Sequence, residues 1–146
     1  MHRRGFLTGL AGFGVAAPFM ASAQAVFRTV VEVDSADPSQ MLSALNIVQE
    51  TGRYHVAHRE SAEIRVIAVG EGVAMLRTDI SPVADRVLFV SRSLPIVNWY
   101  ASAEDVAAIT AAAGAPPPLF PEVKLAQQGA AEAARLQADG WSLIKP

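Results

Sequence analysis

Four groups of residues have types and spacings that can do chemistry. Arg92 stands between Ser91 and Ser93, just past the apolar run Val87 to Val90. A guanidinium at a strand end can hold a carboxylate or an oxyanion of sulfur through a bidentate contact. The flanking serines have no histidine in a context that marks it as their base, and the G-x-S-x-G elbow is missing. Gly70-Glu71-Gly72 closes another apolar run and opens a short helical pattern, where backbone N–H groups can meet an anion. The fragment is too short for a dinucleotide fingerprint, and a tight turn needing glycine torsions is its simpler reading. Asp34 and Asp37 flank the first strand-to-helix turn; an Asx-turn and a helix cap account for both, with ligand contact as the alternative. His55 and His58, near Glu60 and Glu63, would suit zinc, copper or nickel if they shared a helical face. The stretch reads instead as an irregular surface segment, so no metal and no other cofactor is expected.

The elements that must position these residues follow from periodicity. Val26 to Val33 is β-branched and aromatic, a first strand. Asp37-Pro38-Ser39-Gln40 starts a helix in which Met41, Leu45 and Val48 share a face, with Gly52 as its expected end. Ile64 to Val69 is an apolar run suited to a strand covered on both faces. Val73 to Arg77 is read as one or two helical turns, Pro82 to Arg86 as a short helix, and Val87 to Val90 as the third strand. Ser102-Ala103-Glu104-Asp105 forms a capping box before a helix that ends at Gly114. Val123 to Ala126 is a fourth strand, Gly129 to Asp139 an alanine-rich helix stopped by Gly140, and Trp141 to Ile144 a last strand. Alternating strands and helices predict one three-layer α/β/α domain with a mostly parallel sheet.

The chain begins Met1-His2-Arg3-Arg4-Gly5-Phe6-Leu7, continues with an uncharged, glycine-rich run to Met20, and reaches Ala23-Gln24-Ala25. Charged start, short apolar run and small-x-small site make a secretory signal, and the arginine pair marks the twin-arginine variant. The run is short for a membrane span. Residues 1–25 are therefore read as a cleaved leader and 26–146 as the working domain, outside the cytoplasm in the periplasm. A retained amphiphilic anchor is the alternative, and Ala21-Ser22-Ala23 is a second cleavage site. Removing 25 of 146 residues leaves 121, enough for one core. The net charge of −2 becomes −4 without Arg3 and Arg4, which gives no electrostatic reason to expect nucleic acid or anionic membrane as a partner. With no cysteine, the chain has no disulfide, thiolate metal site or thiol chemistry.

The ordered pieces Asp34 with Asp37-Pro38, Ala44-Leu45-Asn46, Val69 to Leu76, Ser81 to Ala84, Glu104-Asp105-Val106 and Arg135 to Pro146 carry a family likeness. From about Thr29 to Pro146 the chain resembles the DsrE/DsrF-like (YchN-like) proteins. The resemblance implies a small α/β fold, oligomers and, in the best-known members, relay of sulfur as a persulfide on cysteine. That cysteine follows the third strand in a Phe-x-x-Cys context, before a helix starting near Glu-Asp. Counted from Phe89, its counterpart here is Arg92, and Leu94 and Pro95 replace the polar pair that often follows. Covalent sulfur relay is then impossible for this chain.

The function expected is a non-catalytic binding or assembly module. The alternatives are a protein that binds a sulfur oxyanion or a persulfidated partner, and a hydrolase or other enzyme using Arg92 or Asp34. The expected ligand-binding residues are Asp34, Asp37, Gly70, Gly72 and Arg92, around a cleft at the carboxyl edge of the sheet that attracts a small anion. A homo-oligomer, dimer or trimer, is expected through Trp99, Tyr100 and Leu119-Phe120. Asn46 is expected to make a buried hydrogen bond or a subunit contact. Changing Arg3 and Arg4 together to lysine should strand the precursor in the cytoplasm. Cell fractionation with mass spectrometry of the exported form checks this, with Val26 as the expected first residue; normal export of the variant would refute the leader.

Overall fold

A computed structural model of the chain describes Gly14 and residues 25–146; the expected leader otherwise lies outside the described residues. The order is β1 (Val26–Val33), α1 (Pro38–Ala57), β2 (Ser61–Ala68), a 3₁₀ segment (Gly70–Leu76), α2 (Ala84–Ser93), β3 (Val97–Ser102), α3 (Ala103–Ala113), β4 (Val123–Ala126), α4 (Gly129–Ala138) and β5 (Ser142–Ile144). The five strands form one sheet in the order β4-β3-β2-β1-β5, and every pairing is parallel. This is the three-layer α/β fold that the alternation of elements implies.

Helices cover the two faces unequally. Met41, Leu45 and Val48 of α1, Val73, Met75 and Leu76 of the 3₁₀ segment, and Val87 and Val90 of α2 pack with Val31, Ile64, Val66 and Trp99 in the larger core. Val106 and Ile109 of α3 join the same side. The opposite face has α4 alone, whose Ala133 and Leu136 pack with Val30, Ile67, Val69 and Trp141. Successive crossovers from β1 to β4 move one way across the sheet, so a single handedness puts their helices on one face. The return from β4 to β5 runs the other way and lands on the second face.

Four expectations need correction. Val87 to Val90 is not a strand but the middle of α2, and β3 lies ten residues later. The buried Val83, Val87, Val90 and Leu94 follow helical spacing, and that period overrides the local β-preference of the valines. Gly52 does not end α1, which continues to Ala57; the glycine sits inside the helix because Leu94 packs where its side chain would be. Trp99 and Phe120, offered as contact surface, are 2% and 6% exposed and belong to the core. Tyr100 and Leu119 are half-buried. The Trp99 indole N–H has no hydrogen-bond partner within the described chain. Asn46 is exposed, and its side-chain oxygen accepts from Arg86 at 2.9 Å.

The short β5 is held at its end by Lys145, whose ammonium lies 2.9 Å from the buried Glu32 carboxylate of β1. That carboxylate raises the Lys145 pKa above the ordinary lysine value. Two glycines discriminate packing from propensity. A Cβ on Gly72 would collide with the backbone carbonyl of Val33, whereas one on Gly52 would meet only the end of the Leu94 side chain, 2.9 Å away. Gly72→Ala should cost at least about 2 kcal/mol, since backbone cannot step aside cheaply. Gly52→Ala should change stability by less than about 1 kcal/mol, because helix propensity offsets the displaced methyl group. Urea denaturation of the two variants gives the comparison, and equal losses would refute it.

Candidate functional site

The expected cleft is half assembled and closed. Asp34 follows β1 and Gly70 follows the adjacent β2, so the two turns meet at the carboxyl edge of the sheet. Asp34 is exposed and makes no side-chain hydrogen bond among the described residues, whereas Asp37 and Gly70 are already committed. Asp37 caps α1, its carboxylate accepting from the Ser39 N–H at 2.9 Å and the Ser39 hydroxyl at 2.9 Å. Gly70 adopts a positive φ of 53°, and its N–H donates to the Asp105 carboxylate at 2.8 Å. Gly72 is buried against Val33. The crevice bounded by Asp34, Ser35, Gln40 and Pro146 is too narrow to admit a water-sized sphere. These turns serve the fold: close approach of two chain segments and capped backbone donors.

Arg92 does not join them. It is exposed in the last turn of α2, whose chain then passes Leu94 to enter the amino end of β3. Strand ends and helix ends alternate between the two edges of a parallel sheet, so Arg92 is at the edge away from Asp34 and Gly70. The hollow it lines, about 380 Å³, is bounded by Asp85, Leu88, Phe89 and Ser93 of the same helix and is the outer surface of α2. Ser91 and Ser93 donate to the carbonyls of Leu88 and Phe89 within the helix. His55 is in the last turn of α1, stacked on Phe27 with ring centroids 4.7 Å apart and 2.7 Å from the Glu60 carboxylate. His58 caps the helix, and its Nδ1 lies 2.7 Å from the Tyr54 carbonyl. No group of three metal-ligating side chains occurs among the described residues.

The residue that ends the third strand and precedes the helix at Glu104-Asp105 is Ser102. It is 2% exposed, and its hydroxyl makes no cap to α3; it accepts instead from the N–H of Gly129 at 3.3 Å, locking the start of α4 to the sheet. Gly129 has no room for a side chain between Val69 and Ser102. The capping box expected here is therefore dispersed: Ser102 holds α4, and Asp105 holds Gly70.

The open hollow of the carboxyl edge lies at β3 and β4. From β3 the chain turns to α3 on one face, and from β4 to α4 on the other. Such a divergence leaves a crevice outside the strand ends, where α/β proteins commonly bind ligands. Ala103, Glu104, Ala107, Gln127, Gln128, Ala131, Glu132 and Arg135 line about 560 Å³ of it. A second hollow of about 250 Å³, bounded by Arg65, Ile67, Tyr100 and Ala126, joins it at Gln127 and Glu132. Arg135 grips Glu132 at 2.7 and 3.2 Å and holds that carboxyl below the usual carboxylate range. None of these residues stands out by motif; the strand order brings them together.

No helix among the described residues is long and apolar enough to cross a membrane. No protein-family model matches the chain, and no curated protein does either. Among solved structures, the chain is similar to a protein of unknown function from Methanobacterium thermoautotrophicum. The two are 27% identical, the match covers 82% of this chain and 99% of the other, and the TM-score is 0.67.

Proposed function

We propose that the chain is an exported, non-catalytic binding module of the DsrE/DsrF-like kind, working in the periplasm at the crevice between the ends of β3 and β4. The crevice supports this reading most directly: it is the roomy part of the carboxyl edge, and its walls carry polar side chains without a nucleophile–base pair. In the resemblance, the sulfur-bearing cysteine follows the third strand in a Phe-x-x-Cys context. With β3 at Val97–Ser102 and Arg92 in α2, Ser102 is the better counterpart under that resemblance, three residues after Trp99 where the family has Phe. Serine keeps the size of cysteine but cannot carry a persulfide.

Ser102 is also unsuited to hydrolysis. Its hydroxyl is buried and occupied by the Gly129 N–H, while His55 and His58 belong to the last turn and cap of α1. A nucleophile needs a base within hydrogen-bond reach. Assembly as a dimer or trimer remains part of the proposal, through different residues from those first expected. Val26, Phe27, Tyr54 and Val56 are exposed by 44%, 43%, 55% and 59%, more apolar surface than Tyr100 and Leu119 present.

A fluorophosphonate probe and light scattering test the two parts. The probe should leave Ser102 unmodified, by peptide mass spectrometry, and scattering should give two or three chains per particle at micromolar concentration. Stoichiometric labelling of Ser102 would replace the binding module by an acyl-transfer enzyme, and a monomer would remove assembly from the proposal.

A further inference from the structure

The smaller hollow has the chemistry of a site for one class of ligand. In the sheet register Ile67 pairs with Tyr100 and Tyr100 with Lys124, so Arg65, Ile67, Tyr100, Lys124 and Ala126 face the α4 side together. The Arg65 guanidinium is 4.6 Å from the Trp141 ring centroid and 5.6 Å from that of Tyr100. Its Nε donates to Glu63 at 3.0 Å, while its two terminal nitrogens make no hydrogen bond among the described residues. The two rings and Glu63 thus hold the fork still with its outer edge unspent. Lys124 has its ammonium 5.9 Å from the Tyr100 ring centroid and no ion pair among the described residues. Of the acids nearby, Glu63 pairs with Arg65, and Glu132 pairs with Arg135, which holds its carboxyl below the usual range with a smaller contribution from the Arg65 charge.

The hollow offers a half-buried guanidinium edge, the Gln127 amide and an apolar wall of Ile67 and Ala126, with the Arg135-paired Glu132 on its lining and the Lys124 ammonium outside it, against the Tyr100 ring. We propose that this hollow binds a small organic anion, a carboxylate carried on a single ring or short apolar chain. The carboxylate meets the outer nitrogens of Arg65, a geometry guanidinium favours. The ring or chain lies against Ile67 and the Tyr100 ring, and Gln127 takes any further polar substituent. At about 250 Å³ the space falls below the ~300–1,000 Å³ of sites for drug-sized ligands, so the ligand is small. The larger crevice beyond Gln127 gives it a way in. This inference deepens the binding-module reading and rests on it.

Benzoate is the probe, with the isotope-labelled full chain observed through its amide resonances. Saturable shifts are expected at Arg65, Tyr100, Gln127 and Glu132. Arg65→Gln should weaken benzoate at least about tenfold, the loss of one charge-assisted hydrogen bond. Lys124→Ala should weaken it by about threefold, as a rim charge does. Benzamide, which lacks the charge, and sulfate, which lacks the ring, should each bind at least about tenfold more weakly. Absence of saturable shifts at those amides overturns the proposal, as do equal affinity in Arg65→Gln or equal binding of either control. If the Arg65→Gln spectrum shows an unfolded chain, Lys124→Ala and Gln127→Ala decide, and unchanged affinity in both overturns it. A benzoate failure leaves Ser102 inert and the module reading standing, whereas probe labelling of Ser102 defeats that reading regardless of benzoate.

Discussion

The handedness of strand–helix–strand crossovers governs the rest of this structure. Three connections that step from β1 to β4 in one direction stack α1, α2, the 3₁₀ segment and α3 on one face. The fourth connection must travel back past three strands to reach β5, so α4 covers the other face alone. A single helix is narrower than a five-stranded sheet. The strip it leaves across β2, β3 and β4 holds Arg65, Tyr100 and Lys124, side chains that keep an aqueous side. The same reversal splits the chain paths leaving β3 and β4, and the crevice between α3 and α4 follows from it.

The remainder of the carboxyl edge is closed by small residues and borrowed acceptors. Gly72 lets the 3₁₀ segment lie on the Val33 carbonyl, and Gly129 lets α4 start against Val69 and Ser102. Backbone donors freed by these close approaches find Asp105 and Ser102. Both acceptors sit at the start of α3, so one short segment ties β2 and α4 to the end of β3. Polar residues that resemble binding groups in the sequence are here the fastenings of the edge, because buried N–H groups left unpaired are costly.

Much of the fold was legible in local patterns. Pro38 after Asp37 marked the start of α1, Gly114 and Gly140 the ends of α3 and α4, and Val26 to Val33 the first strand. The third strand was not, because Val87-Leu88-Phe89-Val90 has strand-like composition while Val97 to Ser102 begins just after a proline and contains a polar Asn98. Only the longer period from Val83 to Leu94 separates the two. That error displaced the candidate site, since it put Arg92 at a strand end and left Ser102 as an ordinary cap. The crevice itself was illegible for a different reason. Arg65, Tyr100 and Gln127 come from three separate stretches, and no local spacing states that β4 is an edge strand beside β3.

The route of the last connection also orders events during synthesis. Residues 129–146 supply both the cover of the second face, through α4, and the partner of the far side of β1, through β5. While the ribosome still holds that stretch, Val30, Ile67 and Val69 face water and β1 has an unpaired edge. Such a nascent chain is a template for aggregation, and it is incomplete however long the first 128 residues have waited. The domain therefore closes only once residues 129–146 are free to reach β1, so its safety in the cell depends on how quickly that stretch finds it. A chaperone that sheltered the bare face in that interval would protect the chain from aggregation.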